Sequence, residues 1–400
     1  MPTLAIDRDG MTRFAQQLVR TPSLSMREGE VAALIAQEMR AIGYDSVTVD
    51  RMGNVIGVLQ AHGDGSERGG RRLLYNGHMD TVDIGDPDEW SRDPFGGEII
   101  DGVLYGRGAS DMKGALASMV YAGKALIDAG VALDGELCVV AVVQEEPCEG
   151  LAMRHIVETE GLRPDWVVLG EATNLQLARG QRGRMEIRVQ VQGKSCHAAA
   201  PHRGINAIYE AARLVVGLEL LSLQLNRDSF LGKGTIAVTD IRSTSGSRNA
   251  VPDRCTLYID RRLTVGDTET TALAEVRRIL TREGVRATVE VPVERCTSYT
   301  GYASEIRQVF PYWSTSEDEP LLVAAARTIE STLNYVPQLG RWEFSTDGVY
   351  TAGVAGIPTI GFGPGEERYT HTVEDQVRVA DLHAAARVYA ELAVRMLGRH

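Results

Sequence analysis

The chain has 400 residues, 44% hydrophobic and 24% charged, which is long enough for two or three domains and rich enough for a sizeable core. A formal charge of -12 argues against a nucleic-acid partner, and no apolar run approaches the roughly 18 residues that span a membrane. The opening stretch MPTLAIDRDGMTRF lacks a basic segment followed by an apolar one, so no signal peptide is expected there.

In chain order, SMREGEVAALIAQEMRAIGYD carries a helical stripe of Val31, Leu34, Ile35 and Met39, with Gly43 as a stop. SVTVD, NVIGVLQ and RRLLYNG read as short strands. MKGALASMVYAGKALIDAG reads as a helix, and ELCVVAVVQ and PDWVVLGEAT as strands buried on both faces. From about Arg179 the texture changes. RMEIRVQVQG alternates apolar and polar residues, as a half-exposed antiparallel strand does. A helix (GINAIYEAARLVVGLELLS), two strands (GTIAVTDI, CTLYIDRRLTV), a helix (TETTALAEVRRILTREG) and a strand (RATVEVPVE) follow. The chain then returns to helix, buried strand and helix. The predicted fold is α/β, a mixed sheet flanked by helices. Its catalytic domain is split between 1–179 and 296–400, with an inserted α+β domain at 180–295.

The five cysteines, Cys138, Cys148, Cys196, Cys255 and Cys296, are widely spaced and form no CxxC. They are read as free thiols in a reducing cytoplasm.

Acids and histidines recur at the ends of the apolar strands. His78 and Asp80 follow LLYNG, Glu145 and Glu146 follow VVAVVQ, Glu171 follows VVLG, and His371 comes shortly after TIGFGPG. Asp111 stands just before a helix. Ligands of open α/β sheets bind beyond the carboxyl ends of the strands. GRGASD lacks the third glycine of a dinucleotide loop, and its aspartate would repel a phosphate. With neutral His78 and His371, the carboxylates Asp111, Glu146 and Glu171 plus a hydroxide balance two divalent ions. Histidine and carboxylate donors without thiolate suit zinc, with manganese or cobalt as substitutes. Alternating strand side chains imply that Glu145 and Glu146 do different jobs, one as ligand and one as base.

The segments GHMDTV, GRGASDMKG, QEEPCEG, GEATN, GKSCHAAAPHRGINAI, RNAVPDRCTLYIDRR and THTVED run in this order over nearly the whole chain. Together they resemble the co-catalytic zinc peptidase and deacylase superfamily, which includes acetylornithine deacetylase, succinyl-diaminopimelate desuccinylase, aminoacylase and glutamate carboxypeptidase. Within it the chain is most similar to the subgroup labelled selenium-metabolism hydrolases. The resemblance implies that His78 and Glu171 hold one ion, Glu146 and His371 the other, and that Asp111 bridges them. It implies that Glu145 is the general base, and that Asp80 hydrogen-bonds His78 from behind. It gives His197 the role of donor to the developing oxyanion across a homodimer boundary, the inserted domain serving for dimerisation and as a lid. Asn249 and Arg262 would bind a substrate carboxylate, with Arg261 as the competitor for Arg262. It also implies a cis bond between Asp111 and Met112. The expected activity is hydrolysis of an amide bond in an N-acyl amino acid or dipeptide with a free carboxylate. A carbamoyl or ureido hydrolase and a non-catalytic binding relative are the alternatives. In HAAAPH, His202 fits as well as His197, and the family pattern selects His197; His62, His155, His383 and His400 are read as structural or exposed. The aromatic loop at 298–320 is read as packing at the domain junction, with lining of the substrate pocket as the alternative.

Overall fold

The computed structural model describes residues 4–60 and 70–398, so His62 and His400 lie outside the described residues. The first part of the chain forms α1 (Arg8–Arg20), α2 (Gly29–Ile42), β1 (Ser46–Val49), β2 (Val55–Leu59), β3 (Arg71–His78), β4 (Glu98–Ile100), β5 (Val103–Tyr105), α3 (Gly114–Asp128), β6 (Gly135–Val142), α4 (Leu151–Arg154), β7 (Trp166–Leu169) and β8 (Leu177–Gln181). The middle part forms β9 (Gly183–Gln192), α5 (Ala207–Ser222), β10 (Arg227–Asp228), β11 (Gly232–Lys233), β12 (Thr235–Thr244), β13 (Arg254–Leu263), α6 (Glu269–Glu283) and β14 (Ala287–Glu290). Then come β15 (Val293–Thr297), β16 (Ala303–Arg307), β17 (Val309–Phe310), β18 (Trp313–Ser314), α7 (Pro320–Leu333), β19 (Leu339–Trp342), α8 (Gly348–Thr351), β20 (Thr359–Gly361), β21 (Gln376–Arg378) and α9 (Val379–Leu397).

The first sheet has nine strands in the order β1-β2-β6-β3-β7-β20-β8-β18, with β19 also on β8. β3, β6, β7 and β20 run parallel, so their carboxyl ends lie at one edge. They are the apolar runs of the sequence, and their side chains are almost wholly buried. α3 and α9 pack on each other and over β3 and β6.

The second sheet is antiparallel, ordered β12-β13-β9-β14 with β17 also on β9. β9 and β13 show the expected alternation of buried and accessible positions. The inner face (Met185, Ile187, Val189, Leu257, Ile259) forms its own core with α5 and α6. β17 keeps this sheet's pairing as far as Phe310, and β18 is the first strand back in the large sheet.

The aromatic loop meets both cores: Tyr299, Tyr302, Phe310 and Trp313 pack with the large sheet's core, and Tyr312 packs against the small sheet's. The expectation of five free thiols needs correction. Cys148 and Cys296 are paired, while Cys138, Cys196 and Cys255 are free. The partners are 148 residues apart, and only the packing of the 293–307 hairpin beside the loop after β6 brings them together. Among the described residues, no helix is long and apolar enough to cross a membrane.

Candidate metal centre

The ends of the parallel strands deliver the site. β3 ends at His78, the loop after β6 carries Glu145 and Glu146, the loop after β7 carries Glu171, and the segment after β20 carries His371. Asp111 enters from the loop before α3, where its peptide bond to Met112 is cis, as the resemblance implied. Asp111 stands between the histidines: Oδ1 is 2.8 Å from His78 Nε2, and Oδ2 is 3.2 Å from His371 Nε2. Glu146 Oε2 lies 3.0 Å from His371 Nε2, and Glu171 Oε1 lies 3.7 Å from His78 Nε2. Two ligands on one tetrahedral ion at zinc–ligand bond lengths sit about 3.3 Å apart, so these separations suit donors that share cations.

Two groups of donor atoms lie within 4.8 Å of one another: His78, Glu145 and Glu171, and His78, Asp111 and Glu146. Distance alone would therefore admit Glu145 as a ligand. The reasoning that separated Glu145 from Glu146 needs correction, because both lie beyond the strand. β6 ends at Val142, and Gln144 takes a left-handed conformation with φ of 56°. The two carboxylates nevertheless diverge. Glu145 reaches the His78–Glu171 side, while Glu146 meets His371. Glu145 Oε1 is buried and has no hydrogen-bond partner.

The electrostatics favour cations. Burial raises the carboxyls of Glu145 and Glu171 well above the usual range, and neighbouring carboxylates add to it. Glu146 is raised for the same reasons. Hydrogen bonds to Asp111 and Glu146 push His371 up to about 10. Burial opposes a charge on His78, but the hydrogen bond to Asp111 and the charges of Glu171, Asp111 and Glu145 outweigh it and raise that histidine. Four carboxylates crowded against two imidazoles, with no thiolate among them, are a donor set for hard or borderline divalent ions.

Asp80 acts differently from the expectation. His78 Nδ1 donates to the backbone carbonyl of Asp80 at 2.9 Å, while the nearer carboxylate oxygen is 3.8 Å away. A carbonyl can only accept, so Nδ1 carries a proton; Nε2 in turn donates to Asp111 Oδ1, and a bound cation would take the place of that Nε2 proton. The Asp80 carboxylate instead accepts the backbone N–H groups of Glu145 at 3.1 Å and Glu146 at 3.3 Å, and the Ser25 hydroxyl at 2.7 Å. It fixes the turn that aims the two glutamates.

Two buried aspartates that the sequence did not single out brace the same region. Asp347 accepts from the Asn76 side chain and from the Gly150 N–H, tying β3 to the loop behind the glutamates. Asp375 accepts the N–H groups of Gly108 and Ser110 and a guanidinium N–H of Arg107, holding the Asp111 loop against the His371 segment.

The acid and histidine cluster opens onto a cleft of about 460 Å³, lined also by Glu149, Arg184, Arg262, Glu343 and Phe344. Arg262 lines this cleft, whereas Arg261 is buried on the other side of β13 against Asp267 and Glu275. His197 and Asn249 do not line it. Both are exposed and adjacent, with the Ala198 N–H donating to the Asn249 carbonyl and His197 bridged to Ala250. His202 is exposed, His155 is buried beside Glu160, and His383 meets the Thr12 hydroxyl, all away from the centre. Sequence reading missed Glu149 and Arg184. The available signals were the position of Glu149 three residues past Glu146 and the polar phase of Arg184 on β9.

Residues 74–395 match peptidase family M20/M25/M40. The chain is 42% identical over 387 residues to the uncharacterized protein YgeY of Escherichia coli K12, covering 97% of this chain and 94% of that one. Its fold is similar to that of the aminopeptidase PepT from Bacillus cereus, at a TM-score of 0.76 and 21% identity, over 98% of this chain and 99% of the other. It is also similar to YXEP of Bacillus subtilis, described as a dinuclear metal-binding peptidase of the M20 family, at a TM-score of 0.73 and 16% identity over 98% of each chain. The acid and histidine cluster at the strand ends, the mixed sheet and the match along most of the chain agree: this protein belongs to peptidase family M20/M25/M40 and is a metallohydrolase acting on amide bonds.

Proposed function

We propose that the protein hydrolyses the amide bond of an N-acyl amino acid or dipeptide bearing a free carboxylate. The observation that carries this reading is the buried, unpartnered carboxylate oxygen of Glu145 beside a histidine and carboxylate donor set. In this reading His78 and Glu171 hold one divalent ion, Glu146 and His371 hold the second, and Asp111 is shared. Two ions there, zinc with cobalt or manganese as substitutes, would polarise the scissile carbonyl and acidify a water. Glu145 takes the proton of the attacking water and passes it to the leaving nitrogen as the C–N bond breaks. The free guanidinium nitrogens of Arg262 pair with the substrate carboxylate.

The working unit is a homodimer in this proposal, with the block at 180–295 as the dimerisation and lid domain. Tyr209, Val216 and Leu220 form an exposed stripe along α5, continued by Leu223 just past its end, and β12 is an exposed sheet edge. Both features suit a second copy of the chain. His197 and Asn249, exposed and outside their own cleft, would complete the neighbour's site, with His197 donating to the oxyanion. A carbamoyl or ureido bond would be opened by the same groups. A purely binding role leaves Glu145 and the full donor set without a purpose. Membership of the selenium-metabolism subgroup rests on resemblance alone.

The test is co-expression of Glu145→Ala and His197→Ala chains. Each homodimer should be inactive on N-acetyl amino acids and dipeptides. Purified mixed dimers should recover activity, because one site has its own Glu145 and a neighbour's His197. Mixed dimers as inactive as either parent would overturn the proposal that His197 acts in trans.

A further inference from the structure

The cleft holds a second set of polar groups that the reaction does not use. Arg184 of β9 and Arg262 of β13 are direct partners across the antiparallel ladder, so both side chains leave the same face. Asp260, two residues before Arg262 and on the same face, lies between them. It accepts from Arg262 Nε at 2.9 Å and lies 3.6 Å from Arg184 Nε. The opposite end of Arg184 donates from Nη1 to Glu149 Oε1 at 3.2 Å. Among the described residues, Arg184 Nη2 and both Nη atoms of Arg262 have no hydrogen-bond partner. Glu149 is only 7% exposed, lines the cleft and has no partner for Oε2. A buried carboxylate with unmet acceptor capacity thus stands beside a guanidinium with unmet donor capacity.

We infer that Glu149 and Arg184 form a specificity subsite for a primary carboxamide or ureido end of the substrate, its carbonyl accepting from Arg184 and its NH₂ donating to Glu149. The inference rests on the proposed amide-hydrolase reading, in which Arg262 takes the substrate carboxylate. Other end groups match only half of the pair. A second carboxylate suits Arg184 but is repelled by Glu149. An ammonium suits Glu149 but is repelled by Arg184. An alkyl end leaves both groups dehydrated and unpaired, which is the costly outcome for a buried polar site.

Calorimetric titration of the metal-loaded protein with four matched acids tests this: succinamate, succinate, 4-aminobutyrate and pentanoate. All share one carboxylate and differ at the far end. The expected result is that succinamate binds about tenfold more tightly than the others. Glu149→Gln replaces an acceptor edge with a donor and should move the preference to succinate. Arg184→Met should move it to 4-aminobutyrate. Equal binding of the four by the unmodified protein, or a lead by any other acid, overturns the subsite. So does a succinamate preference that survives both substitutions. If one variant fails to fold, the unmodified protein and the other variant still decide. Binding is read without turnover, so an absence of amide hydrolysis would sink the proposed function and leave this result to stand or fall separately.

Discussion

The two sheets use their polar residues in opposite ways. The large sheet is buried on both faces and sends its acids and histidines off the carboxyl ends of parallel strands, where crowded charges call for cations. The small sheet buries one face, where Arg261 is the charged exception, and on the other Arg184, Asp260 and Arg262 stand partly exposed in an ion-paired row. The lesson is a division of labour. Strand ends concentrate reactive groups because neighbouring parallel strands stop at one edge, whereas a strand face spreads groups out at the spacing of a ladder, which suits recognition.

The largest effect expected from breaking this division concerns the exposed side of the small domain. Leu220→Asp on the apolar stripe of α5 should give a monomer by light scattering. If His197 works across the boundary, the monomer should lose about 10²–10³-fold in kcat, the range for removing one oxyanion donor. A fully active monomer would show that the large sheet's site is complete by itself.

A smaller effect is expected behind the strand ends. Asp80→Ala leaves the N–H groups of Glu145 and Glu146 without their acceptor. Metal affinity or kcat should fall about 10–100-fold, as for other outer supports of metal ligands. Unchanged values would mean that the turn holds its shape without Asp80.

The smallest effect concerns stability. Glu28 is buried behind the glutamate turn, where its Oε1 accepts the N–H groups of Met26 and Gln144. Burial, with the Asp80 charge adding to it, lifts its carboxyl from 4.5 to about 7. Between those values the folded chain keeps a proton that the unfolded chain releases. Stability therefore falls as pH rises through that window, and the loss is complete above about pH 7. Glu28→Gln removes this dependence and should match the parent near pH 4.5. It should exceed the parent by about 1–3 kcal/mol above about pH 7 in denaturant titrations. Parallel pH profiles for the two proteins would contradict the assignment.

Much of the large sheet's site was legible in the sequence, because His78, Glu146, Glu171 and His371 each follow an apolar run whose end is visible without any tertiary information, while Asp111 precedes a readable helix. His78, Asp111, Glu146, Glu171 and His371 meet where the strand-end argument put them. Residues whose roles depend on register between distant segments were hidden. Arg184 matters because it faces Arg262 across the ladder, and Asp347 and Asp375 matter because loops far apart in sequence dock on them. The Cys148–Cys296 pairing was hidden for the same reason. Asp80 shows a subtler limit. Its position was legible, but which of its oxygens met His78 depended on a turn that pattern reading took for strand.

The central claim is that the two adjacent glutamates divide their work, and metal content per subunit tests it most directly. Glu145→Ala should retain close to the parent's metal content by elemental analysis while losing hydrolysis. Glu146→Ala should lose metal as well as activity. Loss of a full equivalent of metal by Glu145→Ala, with retention by Glu146→Ala, would reverse the roles and contradict this account.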